Sequence, residues 1–375
     1  MGKVMTPEHL WYPVGNVNEV CSPALLIYPD RIEYNINKMI EIAGGINHLR
    51  PHVKTHKMPE IIKLQMKHGI NKFKCATIAE AEMVARCGAS DILLAIQPVG
   101  ANTGRFFRLK QEFRETKISC IADAEEVIVQ LSDMAVGTGL ETSVWLDINN
   151  GMNRSGIAPG PKAAELYKMI IGLPMLKAEG LHVYDGHNNE PDYSRRKKLC
   201  DDSFIPVLNL IDELKNMGCG PVNIVAGGTP TFPVHASRTG VESSPGTLLL
   251  WDYGYNCSFS DMDFLYAAVL LMRIISKPGI DLLCLDLGHK AIASEMPQPR
   301  LKILGIENYT IISQSEEHLV IRTPEADSLK IGDPLYGIPW HICPTVDRYD
   351  SVSVVMEHKV TGQWNVEARK RKITF

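Results

Sequence analysis

The stretch KFKCATIAEAEMVARCGASDILLAI, residues 72 to 96, contains a complete strand, helix and strand. KFKCAT (72 to 77) is a short run of strand length, and Thr77 stands where an N-cap is needed before the amphipathic run that follows. Gly88 provides the C-terminal stop, and DILLAI (91 to 96) begins a second strand. Two strands joined through a helix are parallel neighbours, because a tight turn reverses the chain and only a long crossover restores its direction.

The same alternation extends both ways along the chain. Towards the N-terminus, ALLIY (24 to 28) and LRPHVKT (49 to 55) read as strands. Towards the C-terminus, ISCIAD (118 to 123), SVWLDI (143 to 148), AEGLHVYDG (178 to 186) and NIVAGG (223 to 228) continue the series. DRIEYNINKMIEIAG, which begins at Asp30 as a plausible N-cap, carries Ile32, Ile36, Met39, Ile40 and Ala43 at helical spacing. Eight strands, each followed by a helical segment, predict a (β/α)8 barrel of the TIM type over residues 22 to 250. Beyond 250 the segments LYAAVLLMRIIS, LLCLDLG, LKILGI, YTIIS, HLVIRT and VSVVMEHKV are close-spaced and broken by Gly, Pro and Asp. They predict an antiparallel β-domain over 251 to 375, grouped with residues 1 to 21.

A chain of 375 residues, 45% hydrophobic and 22% charged, has the composition of a globular protein with a sizeable core. Its net charge of −4 disfavours nucleic acid and anionic membrane as partners, since both need a basic surface. A small-molecule substrate is the expectation. The longest apolar run, FLYAAVLLM (264 to 272), is too short to span a bilayer, and the N-terminal residues lack a signal-peptide core, so a cytoplasmic location is expected. The 9 cysteines are scattered and never form a C-x-x-C pair, which points to reduced thiols.

Barrel enzymes place their chemistry at the C-terminal strand ends. In LRPHVKTHK (49 to 57), His52, Lys54 and His56 recur at every second position, which on a strand puts a lysine between two histidines on one face. A partly desolvated Lys54 flanked by histidines that can carry charge has the setting of a nucleophile or Schiff-base former. Arg154, in NNGMNRSG (149 to 156), follows the sixth strand with a fixed positive charge. AGGTPT (226 to 231) ends the eighth, where Gly227 and Gly228 allow close backbone approach, Thr229 offers a hydroxyl, and the turn can form an anion nest. A lysine for an aldehyde and a nest for a phosphate together describe pyridoxal phosphate.

RPHVKTHK, GMNRSG, AGGTPT and a late HICPTVD, in that order over nearly the whole chain, resemble the D-serine dehydratase and D-threonine aldolase group of pyridoxal-phosphate enzymes. That group joins an alanine-racemase-like barrel to a C-terminal β-domain. The resemblance implies that Lys54 carries the cofactor as an internal aldimine and that Arg154 contacts its phenolic oxygen. It further implies that Tyr184 faces the pyridine nitrogen and that Gly228 and Thr229, with Gly227, form the phosphate loop. A neutral tyrosine there leaves the cofactor a weaker electron sink, so a second source of help is expected. His341 and Cys343, on one face if the segment is extended, offer imidazole and thiolate to Zn2+, with Mn2+ as the alternative, and leave coordination positions free.

Such a metal assists departure of the β-hydroxyl from a D-3-hydroxy amino acid, with Lys54 taking the α-proton, and gives a 2-oxo acid and ammonia. In the alternative aldolase reading the Cα–Cβ bond breaks to glycine and an aldehyde, with His56 or His187 as candidate base. Aldolases of this group tend to carry aspartate where this chain has Cys343, which favours the dehydratase. An amino-acid racemase and a non-enzymatic pyridoxal-phosphate carrier are further alternatives. A homodimer is what the resemblance implies for assembly.

Overall fold

The computed structural model describes residues 10 to 375. The chain forms two compact units. One comprises residues up to Asn35 with Thr247–Val366, and the other Ile36–Gly246 with Glu367–Phe375.

The first strand, β1 (Ala24–Ile27), differs from the expectation. It pairs antiparallel with Ala268–Gly279 and parallel with Ser351–Met356, so it belongs to the β-rich unit and not to the barrel. Leu25, Leu26 and Ile27 are buried on both faces. An apolar run of four reads the same in a parallel and in a mixed sheet, which is why its sequence does not tell the two apart.

The barrel unit is built on seven parallel strands in sequential order: β2 (Lys72–Cys75), β3 (Asp91–Leu94), β4 (Lys117–Ala122), β5 (Thr142–Ile148), β6 (Leu176–Val183), β7 (Asn223–Ala226) and β8 (Val241–Ser243). Six of them are expected from the sequence; the three-residue β8 is not. The helix after β2 follows its sequence signature closely. It spans Ile78–Arg86, Thr77 accepts the Glu80 N–H at 3.1 Å, and Gly88 turns away at φ +88°. The first helix begins at Pro29, which places Asp30 inside its first turn and not at the cap.

LRPHVKT does not form a regular strand, yet residues 49 to 53 close the barrel. Leu49 bridges Ser243 and His52 bridges Lys74, both in parallel sense. Arg50 N–H donates to Ser243 O at 2.9 Å, His52 N–H to Pro245 O at 2.8 Å and Val53 N–H to Lys74 O at 3.0 Å. Pro51 lacks a donor, and the histidine Nδ1 atoms bend the chain after it. The His52 ring accepts from Lys54 N–H at 3.4 Å and the His56 ring from Met58 N–H at 3.1 Å. The alternating trio is therefore split: His52, buried, and Lys54, exposed, line one cavity, whereas the buried His56 does not.

Arg50, 1% exposed, pins this closing segment. Its guanidinium donates to Asp91 at 2.7 and 3.1 Å and to Glu242 at 2.8 Å, and Lys72 and Lys117 extend the ion pairing to Glu242 and Glu179. Burial alone raises the Asp91 pKa, but the Arg50 hydrogen bond and charge carry it below the usual carboxylate value. The depressed folded pKa means that this stabilisation is present above the unfolded Asp value and lost as pH falls through the folded one. Arg50→Met removes the buried partner of Asp91 and Glu242 and leaves them only the more exposed Lys117 and Lys72. It is expected to cost about 3 kcal/mol in urea unfolding at neutral pH, with the deficit shrinking in acid.

The second unit is organised around β9 (Ala268–Gly279), which pairs β1, β10 (Leu282–Leu285) and β14. The remaining strands are β11 (Leu301–Leu304), β12 (Thr310–Gln314), β13 (Leu319–Arg322), β14 (Pro334–Pro339), β15 (Ser351–Met356) and β16 (Lys359–Asn365). All of these pairings are antiparallel except that of β1 with β15. Leu26, Tyr28, Val269, Leu271, Tyr336 and Ile338 fill its core. The fold is thus a parallel barrel with a separate, mostly antiparallel sheet. No helix among the described residues is long and apolar enough to cross a membrane.

Candidate active site

A cavity of about 490 Å3 opens among His52, Lys54, Lys74, Arg154, His182 and Tyr184, residues carried by the closing segment, β2, the turn after β5, and β6. Lys54, Arg154 and Tyr184, three of the residues singled out in the sequence, all line this cavity. Lys54 sits in the turn formed when Lys57 N–H donates to Val53 O at 3.0 Å, which leaves its side chain exposed at the cavity.

Arg154 is presented by a turn that the chain braces with its own polar groups. Asn149 Oδ1 accepts N–H groups of Gly151 and Asn153 at 3.1 and 3.0 Å, Ser155 donates to Asp147 at 2.9 Å, and Gly156 N–H donates to Asp123 at 2.7 Å. Gly156 has φ +90°, and a Cβ there meets Asn149 N at 2.6 Å, so glycine is required. The Arg154 guanidinium carbon stands 4.7 Å from the Tyr184 ring centroid. Gly186 and Gly228 pack against the same ring, and a Cβ on Gly228 comes within 3.0 Å of Tyr184 Cε2.

The AGGTPT turn lies next to this tyrosine without lining the cavity. Gly227 (φ +77°) leaves room for His235, whose Cδ2 a Cβ meets at 2.6 Å. Gly228 N–H donates to Thr231 Oγ1 at 3.3 Å, and Thr229 Oγ1 accepts from Gly246 N–H at 3.2 Å. Behind the turn, Thr231 donates to Asp185 at 2.6 Å, and His235 Nε2 lies 2.8 Å from the other Asp185 oxygen. Asp185, Cys200 and His235 bring their ligand atoms within 4.8 Å of one another, all buried. Arg238 lies 2.7 Å from His235 Nδ1, and a guanidinium can only donate. The His235 proton is therefore on Nε2 and faces Asp185, so the cluster is a hydrogen-bonded support for the turn.

Three features of the cavity are not apparent from the sequence. Lys74, 2% exposed, reaches it from β2, and burial, followed by the Lys54 charge, pushes its pKa down to about 7. His182 pairs with Asp147 at 2.7 Å through Nδ1, while its buried Nε2 has no hydrogen-bond partner among the described residues. His52 is held well below the ordinary imidazole pKa, by burial first and then by Lys74 and Lys54. His52 is thus neutral beside Lys54, and the positive charge that accompanies Lys54 at the cavity comes from Arg154 and, when protonated, Lys74. A lysine at the middle of a parallel barrel strand is the signal that could have found it, because such strands are normally apolar on both faces.

His56 does not line the cavity: it is fully buried, and burial lowers its pKa to about 3. His187 lies at a different cavity, with Asn150 and Glu190. In the other unit His341 is the N-cap residue of the short helix Ile342–Val346, so His341 and Cys343 are not on an extended segment. His341 Nδ1 is 2.5 Å from Glu295, a residue that no sequence motif singles out, and Cys343 Sγ is 3.4 Å from Thr247 Oγ1. Burial works against a proton on His341, but Cys343 and Glu295 raise its pKa to about 9.

The chain is similar to known proteins along almost its full length. Over 356 residues the chain is 28% identical to a D-threonine aldolase of Arthrobacter sp, covering 93% of each. It is 24% identical to a D-serine dehydratase of Dictyostelium discoideum, covering 91% of this chain and 94% of that one. A crystal structure of D-threonine aldolase from Filomicrobium marinum superposes with a TM-score of 0.85 at 25% identity, over 94% of this chain and 96% of that one. Residues 267–355 match a putative serine dehydratase domain. Residues 27–250, more than half of the chain, match the alanine racemase N-terminal domain, and the chain belongs to that family.

Proposed function

We propose that this protein is a pyridoxal-phosphate-dependent, metal-assisted lyase acting on D-3-hydroxy amino acids. The observation that carries the reading is the meeting of Lys54, Arg154 and Tyr184 at one cavity, beside a glycine turn. The residues suit the group. The cavity lining holds an amine, a guanidinium and the unpartnered Nε2 of His182, and Gly228 lets the Tyr184 ring lie flush with the turn. When bound, pyridoxal phosphate supplies a conjugated ring that draws electron density away from the substrate's α-carbon.

The chain's own residues do the rest. Lys54 Nζ is the amine that would hold the cofactor's aldehyde carbon and, when free, would serve as the base for the α-proton. Arg154 and Tyr184 are the residues that would hold the phenolic oxygen and face the ring nitrogen, and the Gly227, Gly228 and Thr229 turn, beside Tyr184 though outside the cavity lining, would receive the phosphate. His341 and Cys343, a nitrogen and a sulfur donor with the Glu295 carboxylate beside them, suit Zn2+, whose Lewis acidity would serve a hydroxyl leaving group.

Two reactions fit this constellation. The His341 and Cys343 pair supports a dehydratase, giving a 2-oxo acid and ammonia, whereas likeness to D-threonine aldolases along almost the full chain supports cleavage to glycine and an aldehyde. Product analysis on D-threonine, with pyridoxal phosphate and Zn2+ or Mn2+, separates them. The dehydratase reading expects metal-dependent 2-oxobutanoate and ammonia with L-threonine inert. Glycine and acetaldehyde would establish the aldolase instead, and absence of any product on D-3-hydroxy amino acids overturns both.

A further inference from the structure

Lys74 has no role in the assignments above, although it is the buried cation of the cavity, whereas Lys54 and Arg154 are exposed. Its strand neighbours Phe73 and Cys75 are buried in the core and do not line the cavity, so the alternation of β2 aims Lys74 inward. Its ammonium lies 5.4 Å from the Tyr184 ring centroid, the ring that Arg154 also faces. Among the described residues no hydrogen bond or ion pair reaches that ammonium. Asp147 is engaged by His182 and Ser155, and Asp185 by Thr231 and His235. Lys54 and Arg154 add like charge, and His52, His182, Tyr184 and Asp123 are further titratable groups of the cavity.

A buried ammonium without a partner is costly, and an apolar side chain at the same position is not. A position that keeps an ionisable lysine in spite of this cost points to a ligand that benefits from its charged form. We propose that Lys74 is an electrostatic residue of the cofactor pocket, whose ammonium beside Tyr184 supplies the pyridine ring with the positive charge that a phenol opposite its nitrogen withholds. The inference rests on the pyridoxal-phosphate reading of the cavity. A positive charge fixed near the ring in a low-dielectric site lowers the energy of electron density arriving from the α-carbon, without a proton on the ring nitrogen. The fold alone, by burial and the Lys54 charge, pushes the Lys74 pKa down to about 7. An anionic phosphate ester entering the cavity restores the charged form.

The test compares the full chain with its Lys74→Met variant, both loaded with pyridoxal phosphate. Removing a neighbouring positive charge is expected to raise the pH midpoint of the bound cofactor's absorption change by about one unit. On the substrate turned over fastest, kcat falls about tenfold or more while KM changes less than about threefold. Freed of cofactor, Lys74→Met is expected to melt at a higher temperature than the parent, the opposite of what loss of a structural lysine produces. Cofactor uptake with an unchanged midpoint and kcat overturns the inference alone, as does a variant that melts lower and loses the cofactor. Failure of the parent chain to take up pyridoxal phosphate overturns the cofactor reading and this inference with it.

Discussion

Lys54→Ala is expected to abolish covalent cofactor attachment and to reduce turnover by roughly 10^4-fold or more. The effect is large because one atom serves twice in the proposed chemistry. Lys54 Nζ is the amine that holds the aldehyde, and it is the base released when substrate takes its place. The cavity's other lysine, Lys74, is buried in the middle of β2, whereas Lys54 stands exposed on its turn, so the variant is not expected to recover attachment through Lys74. Borohydride reduction of the loaded protein followed by peptide mapping places the label on the peptide containing Lys54 in the parent and leaves it absent in the variant. Because Lys54 makes no core contact that its exposed position reveals, the variant is expected to unfold at the parent's urea midpoint. A labelled Lys54→Ala protein with normal turnover would remove Lys54 from the proposed function.

Cys343→Ala is expected to keep the cofactor and lose about 100-fold in turnover, with chelation of the parent protein producing a loss of similar size. The two effects should not add, since both remove the same metal. This prediction separates the roles of the two units, because the residues proposed for the cofactor belong to the barrel unit and His341 and Cys343, proposed for the metal, to the β-rich one. Metal content by mass spectrometry, cofactor content by absorbance and turnover are measured on the same samples. Metal retained at full occupancy in Cys343→Ala, or turnover unchanged by chelation, would exclude the pair as the metal site.

Several site residues are legible in the sequence because their chemistry needs local spelling. The Arg154 turn depends on Asn149, Ser155 and Gly156 within a few residues of one another, and the AGGTPT turn on two consecutive glycines. The Asp147 and His182 pair, and the place of Lys74 beside Tyr184, are not legible, because each is defined by neighbours on other strands; a lysine inside a parallel strand is the one local sign of Lys74. Glu295 meets His341 across 46 residues of chain, and no spacing rule connects them. The mistaken strand at LRPHVKT has the same origin: alternation suggests one face, whereas the imidazoles turn the chain by accepting N–H groups two residues on.

The sequence by itself determined the repeating strand and helix order, the capped helix after β2, the change to a β-rich unit near residue 250 and the identity of the polar turns. These follow from periodicity and caps, which act over a few residues. The tertiary structure alone decided that ALLI joins the β-rich sheet, that residues 49 to 53 close a seven-stranded barrel, and that Lys74 stands beside Tyr184. Those outcomes depend on which distant backbone edge offers free hydrogen-bond partners and on what a buried charge meets across the barrel, and neither is encoded in local spacing.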